Sequence, residues 1–234
     1  MSIEIYARQG CDYAVADFFC FDKISYLLGA SSRCVKVSAS LQEGSVLLVK
    51  GPSGSGKSTL LRVLARLQEL VEGQVFFRGD SILSFTPQVW RSKVHYVPQK
   101  PAVFPGTVSD NLSISFNLRI NKAKEFDLEV IRRSLGDLML DFEIMGQNAG
   151  TLSGGETARI ALLRSVILNP NILLLDEPTA ALDENAKQAV LDFLKGWLEQ
   201  APERGIVLVS HADESIAFPA ANVLEIGGDG GWSR

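Results

Sequence analysis

The chain has 234 residues, of which 46% are hydrophobic and 21% charged, with 20 glycines and 9 prolines. That is enough to bury a core, and it excludes a disordered or collagen-like chain. Lys and Arg number 23 against 27 Asp and Glu, a net charge of -4, so no global positive excess suits nucleic acid or an anionic membrane surface, and a bound anion needs a local site. Cys11, Cys20 and Cys34 are an odd number without metal-ligand spacing, which fits reduced thiols in a cytosolic compartment better than a disulfide framework. Residues 1–20 lack a basic start and are interrupted by Asp12 and Asp17, unlike a secretory signal. Apolar runs such as 46–49 and 172–175 fall far short of the roughly 20 residues of a membrane-spanning helix, so the chain is expected not to cross a membrane by itself.

In chain order, short apolar runs at 46–49, 94–97, 172–175 and 206–209 read as strands. They alternate with helical patterns, which predicts an α/β fold with a mostly parallel sheet. A helix after Lys57 carries Leu60, Leu64 and Leu67 on one face, and a later one carries Ala186, Val190, Phe193 and Trp197. Between them, residues 107–150 offer no convincing strand but place Leu128, Ile131, Leu135 and Leu138 at helical spacing, so this stretch reads as a helical insertion. A glycine-rich tail, 227–234, is expected to be flexible.

The sequence Gly51-Pro52-Ser53-Gly54-Ser55-Gly56-Lys57-Ser58 fits G-x-x-x-x-G-K-[S/T] directly after a predicted strand and at the start of a helix. Its glycines let backbone N–H groups turn toward phosphate oxygens, Lys57 reaches the β and γ phosphates, and Ser58 can ligate Mg²⁺, with Thr59 following in the same turn. The strand 172–175 delivers Asp176 and Glu177 at its C-terminal end, where ligands bind in open α/β sheets. Asp176 suits the Mg²⁺ that Ser58 holds, and Glu177 suits the deprotonation of an attacking water. In Leu152-Ser153-Gly154-Gly155-Glu156, Ser153 and Glu156 are spaced as a capping box, while two successive glycines leave room for an anion at a helix start. A bare helix cap and a second anion-binding site both remain open from these residues alone.

The phosphate loop, Gln99, residues 152–156, Asp176-Glu177, Asp183 and His211 stand in one order that resembles the ATP-binding subunit of ABC transporters over residues 23–226. The resemblance implies a P-loop NTPase of the ABC ATPase type, with an N-terminal antiparallel β part and a helical subdomain. One domain would span 1–234, its core at 18–106 and 151–226 and its helical subdomain at about 107–150. It implies that Gln99 touches Mg²⁺ and the attacking water, that Asp183 lies in the loop beside the nucleotide, and that His211 contacts the γ-phosphate. Two subunits would pair head to tail, placing ATP between Lys57 of one copy and Ser153, Gly154 and Gly155 of the other. An aromatic residue usually stacks on adenine, and Tyr26 is preferred over Leu28 for that place because a π face can stack on a base. Thr157 departs from the Gln or Lys that often follows the family's signature, and residues 1–17 match nothing.

The resemblance further implies an ATP hydrolase that drives solute through a separate membrane permease. The pair would be a homodimer, cytoplasmic and peripheral on the inner face of the cell membrane, with no nucleic-acid partner. Val103, Phe104, Val108 and Leu112 are candidates for a groove that receives the permease. The pattern is similar to small bacterial ATPases of the metal-exporter type. The alternative is a soluble ABC-type ATPase serving assembly or regulation, which would share every ATP residue.

Overall fold

The computed structural model describes residues 3–6, 18–28, 34–210 and 216–227. Strands β1 (Ile3–Tyr6), β2 (Phe19–Leu27), β3 (Cys34–Leu41), β5 (Glu72–Phe77) and β6 (Asp80–Ser81) form one sheet, in the order β1-β3-β2-β5-β6. Its pairings are antiparallel except for β1 beside β3. The second sheet contains β4 (Val46–Lys50), β7 (Val94–Val97), β8 (Ile172–Asp176), β9 (Gly205–Val209) and β10 (Asn222–Glu225) in the order β10-β4-β9-β8-β7, with every neighbour parallel. This is the α/β arrangement that the apolar runs predict.

Strands β4, β8 and β9 are nearly continuous apolar runs because both faces are covered. Leu47, Val49, Ile172, Leu174, Val207 and Val209 pack with Phe19, Phe21 and Ile24 of the antiparallel sheet and with Leu60, Leu61 and Leu64 of helix α1 (Lys57–Leu64). Val46, Leu48, Leu173, Leu175, Ile206 and Leu208 point the other way, into a core shared with helices α5 (Gly154–Val166) and α6 (Glu184–Glu199). Adjacent residues on one strand thus serve two cores, as a side-chain period of two requires.

Helix α1 stops earlier than its apolar spacing suggests. Arg66 takes a left-handed backbone, φ 54°, and its guanidinium donates to the carbonyls of Ile82 and Phe85 at 3.0 and 2.6 Å, so Leu67 leaves the stripe and is 53% exposed. Helix α2 (Pro87–Lys93) braces α1 from outside: buried Trp90 donates from Nε1 to the Leu64 carbonyl at 2.8 Å, supplying one acceptor that the helix end leaves unpaired. In α6 the buried stripe is Ala186, Val190, Leu191, Leu194 and Trp197; Phe193 sits half-buried at its margin.

Residues 107–150 carry helices α3 (Val108–Ser113) and α4 (Leu128–Asp137) with short 3₁₀ turns. The two ends of this stretch meet in a bridge between Thr107 and Asn148, with the Val108 amide donating to the Gln147 carbonyl and the Ala149 amide to that of Gly106, both at 2.9 Å. Leu128, in the first turn of α4, is exposed, whereas Ile131, Leu135 and Leu138 are buried. Val108 and Leu112 are fully buried core residues, which corrects their expected place in a docking groove.

His95 on β7 contacts the Ser165 carbonyl through Nδ1 at 3.0 Å. Burial, with the Lys124 ammonium nearby, lowers its pKa from 6.5 to about 4. At pH 7 the ring is neutral whether folded or unfolded. As pH falls the unfolded ring gains a proton first, so stability present above pH 6.5 is lost on the way down to about 4, by up to about 3 kcal/mol. His95→Gln is expected to flatten this part of the stability profile measured by urea unfolding between pH 7 and 5; a slope equal to that of the unsubstituted protein contradicts the assignment.

Candidate functional site

Four neighbouring parallel strands, β4, β9, β8 and β7, end on one edge of the sheet, the edge where open α/β sheets bind ligands. The chain leaves β4 into the loop 51–56 and enters α1 at Lys57. Gly51 has φ 150°, and a Cβ there would lie 2.2 Å from the Ile226 carbonyl oxygen. Gly56 has φ 102°, and a Cβ there would lie 2.6 Å from Cδ2 of Leu28 and 3.2 Å from Cε2 of Tyr26. The loop is therefore pressed against β2 and the end of β10, and only glycine fits at both places.

Above the loop lies a cavity of about 410 Å³, lined by Ser53, Gly54, Gly56, Lys57, Ser58 and Thr59 together with Leu28, Gln99 and Glu177. No side chain caps the start of α1, so the helix presents its N–H groups and the positive end of its dipole there. The Lys57 ammonium donates to the carbonyls of Gly51 and Pro52 at 2.8 and 3.0 Å. Ser55 forms the underside: it is 1% exposed, its amide donates to the Pro52 carbonyl at 3.2 Å, and its hydroxyl has no partner among the described residues. A larger cleft of about 760 Å³ between α4 and α6 contains none of the motif residues.

Asp176 ends β8 and is 4% exposed. Ser58 Oγ donates to its Oδ1 and Tyr96 Oη to its Oδ2, each at 3.0 Å. Glu177 follows with a left-handed backbone, φ 49°, a conformation rare outside glycine and concentrated at functional sites. Its amide donates to the Val209 carbonyl at 3.1 Å, and its Oε2 accepts from Nε2 of Gln99 at 2.5 Å. The turn thus sends two successive carboxylates to different partners. Tyr96 is a site residue that no sequence motif marks: alternation on β7 sets it on the face opposite His95 and Val97, but its partner Asp176 is fixed only by tertiary structure.

Ser153 caps α5, its hydroxyl accepting from the Glu156 amide at 3.2 Å while Glu156 Oε2 accepts from the Ser153 amide at 2.8 Å. The Ser153 amide and hydroxyl hold the Glu156 carboxyl below the usual carboxylate range. The two glycines differ: a Cβ on Gly154 would meet nothing within 4 Å, whereas on Gly155 it would lie 3.2 Å from Leu182 Cδ2 and 3.4 Å from the Ala181 carbonyl. Gly155 therefore has an intramolecular reason, close packing against the turn before α6, that spacing did not reveal. Asp183 caps α6, accepting from the Ala186 amide at 2.9 Å. Ser153 and Gly154 are exposed, and none of Ser153, Gly154 or Gly155 lines the cavity above Lys57.

Tyr26 does not take the place expected of it. It is fully buried beneath Gly56, so no face is available to a base; Leu28, two residues along the strand direction and half-buried, lines the cavity instead. The Tyr26 hydroxyl has no partner among the described residues, and burial pushes its pKa well above the ordinary phenol range. His211 lies outside the described residues, as do Cys11 and 228–234.

Residues 34–180 match the family model for the ABC transporter, and the chain belongs to that family as an ATP-binding protein that hydrolyses ATP and uses Mg²⁺. It is 34% identical to the probable iron export ATP-binding protein FetA of Escherichia coli K12, over 82% of this chain and 84% of that one. It is also 34% identical to the phosphate import ATP-binding protein PstB of Tropheryma whipplei TW08/27, over 85% and 82% of the respective chains. Its fold matches the ATP-binding cassette MJ0796, solved as a dimer bound to ADP and Pi, with a TM-score of 0.72, 24% identity and coverage of 89% of this chain and 96% of that one.

Tyr26→Phe removes an unpaired buried hydroxyl while keeping the ring. It is expected to raise stability by about 1 kcal/mol, or roughly 2–4 °C in Tm, without changing ATP affinity. Calorimetry and nucleotide titration check this, and a marked loss of ATP affinity would restore Tyr26 to the base site.

Proposed function

We propose that this chain is the ATP-hydrolysing subunit of a membrane transporter and works as a head-to-tail homodimer in which each ATP contacts both copies. The observation that carries this reading is the separation of two elements: the cavity is lined by the phosphate loop, Gln99 and Glu177, whereas the glycine-bearing tip of α5 lies outside that lining, with Ser153 and Gly154 exposed. A second copy offers the natural route for bringing that tip to a phosphate.

The residues fit magnesium and ATP. Ser58 and Asp176 place a hydroxyl and a carboxylate 3.0 Å apart, hard oxygen donors of the kind Mg²⁺ takes, and Gln99 can add its amide oxygen. When bound, Mg²⁺ neutralises charge on the phosphate oxygens. Lys57 exchanges its carbonyl acceptors for the β and γ phosphate oxygens, and the loop amides with the start of α1 hold the rest of the phosphate chain. Gln99 orients water in line with the γ-phosphorus, and Glu177 accepts its proton as the bond to the leaving ADP breaks. His211 and the partner's glycine-bearing helix start stabilise charge that develops on the transferred group. Leu28 packs against the base through dispersion alone.

Among the described residues no helix is long and apolar enough to cross a membrane. In this reading solute passes through a separate permease, with the ATPase pair on the inner face of the cell membrane, and the similarity to export and import ATP-binding proteins supports it. Val103 and Phe104, close in sequence to Gln99, remain the apolar contacts for it; Phe104 is 45% exposed, with the Arg164 guanidinium 5.2 Å from its ring centre. Since the relatives include a probable iron export ATP-binding protein and a phosphate import ATP-binding protein, the shared chemistry is the ATP-driven step rather than the cargo.

Glu177→Gln keeps the shape of the site and removes the proton acceptor. Turnover is expected to fall at least about 100-fold, and ATP should convert the variant into a stable dimer seen by light scattering. Unchanged turnover contradicts the role of Glu177, and a monomer in saturating ATP contradicts the shared site.

A further inference from the structure

Asp176 has two carboxylate oxygens, and the structure assigns a different side-chain donor to each: Ser58 to Oδ1 and Tyr96 to Oδ2, both at 3.0 Å. The two donors are not equivalent. Ser58 is itself a ligand in the proposed magnesium site, so its oxygen has to serve two partners at once, donating its hydrogen to Asp176 and a lone pair to the metal. Tyr96 has no such second task, and its bond can persist when the metal is bound. A carboxylate turns readily about its last torsion, which has broad, shallow wells, and a donor fixed to one oxygen fixes the direction of the other.

Tyr96 is well placed to be that fixed donor. It lies on β7, paired with Leu174 of β8 two residues before Asp176, and its ring packs against the core between the sheets. Strand and core together hold the hydroxyl at a set height above the sheet edge. A phenol is ordinarily protonated at neutral pH, so the hydroxyl is available as a donor there.

We propose that Tyr96 is a positioning residue for the metal site, holding the Asp176 carboxylate through Oδ2 so that Oδ1 is directed to Ser58 and Mg²⁺. This rests on the reading of Ser58 and Asp176 as metal ligands. Partners of metal ligands typically change metal affinity 10- to 100-fold when removed.

The test is a Mn²⁺ titration of the full-length protein with bound ATP analogue, followed by electron paramagnetic resonance, on the unsubstituted chain, Tyr96→Phe and Asp176→Asn. Mg²⁺-dependent ATPase kinetics and thermal melting are run alongside. Tyr96→Phe keeps the ring and the core packing. It is expected to weaken Mn²⁺ binding about tenfold or more and to raise the Mg²⁺ concentration for half-maximal turnover in step. It should leave kcat at saturating Mg²⁺ and metal-free nucleotide affinity nearly unchanged. Weakened metal binding in Asp176→Asn but not in Tyr96→Phe overturns the role of Tyr96 and leaves the metal site standing. If neither substitution moves Mn²⁺ affinity, the metal-site reading fails and the proposal with it.

Discussion

The hydrogen bond from Ser58 to Asp176 joins residues 118 positions apart, and the site depends on what makes that contact possible. Ser58 is the second residue of α1, held by a loop too tightly packed at Gly51 and Gly56 to carry side chains there. Asp176 is the last residue of a strand buried along its whole length. A side-chain hydroxyl spans only one hydrogen bond, so the loop and the strand end must be fixed independently before the two can meet. The doubly covered sheet does this: β8, apolar on both faces, cannot slip without drawing the Asp176 carboxylate in among the apolar side chains.

Around this contact the polar groups already have partners within the chain. Lys57 rests on two loop carbonyls, and Gln99 donates to Glu177. In the proposed function nucleotide binding exchanges these bonds for charged phosphate oxygens and water, and hydrogen bonds to charged acceptors are stronger than those to neutral carbonyls. The left-handed backbone of Glu177 belongs to the same economy: it is held by the Val209 carbonyl and turns the second carboxylate away from the partners of the first.

The parallel strands, the phosphate loop and the cap at Ser153 were legible because each is written in a short stretch of chain: an apolar run, a glycine spacing, a Ser and a Glu three residues apart. What remained hidden was set by tertiary contacts. Period two places Tyr26 and Leu28 on one side of the strand direction, but only packing beneath Gly56 decides that the tyrosine is sealed in and the leucine meets the cavity. Val108 and Leu112 looked available for docking because a helical apolar stripe does not say which partner covers it; here it is the chain's own core. Leu67 left its stripe because Arg66 found carbonyl acceptors elsewhere. The hydroxyl of Tyr96 on Asp176 has no local signature, since it joins adjacent strands distant in sequence.

The central claim, that one copy supplies the phosphate loop and the other the tip of α5, is tested most directly by mixing two inactive variants. Lys57→Ala removes the ammonium proposed to bind phosphate, and Gly154→Asp places a negative charge at the helix tip, where a Cβ meets nothing within 4 Å among the described residues. Each homodimer is inactive, but a heterodimer has one intact site, formed by the loop of the Asp-bearing copy and the tip of the Ala-bearing one. The account predicts that an equal mixture recovers about a quarter of native ATPase activity, from half the dimers each with one of two sites intact. A mixture as inactive as its components, with heterodimers shown to be present, would contradict it.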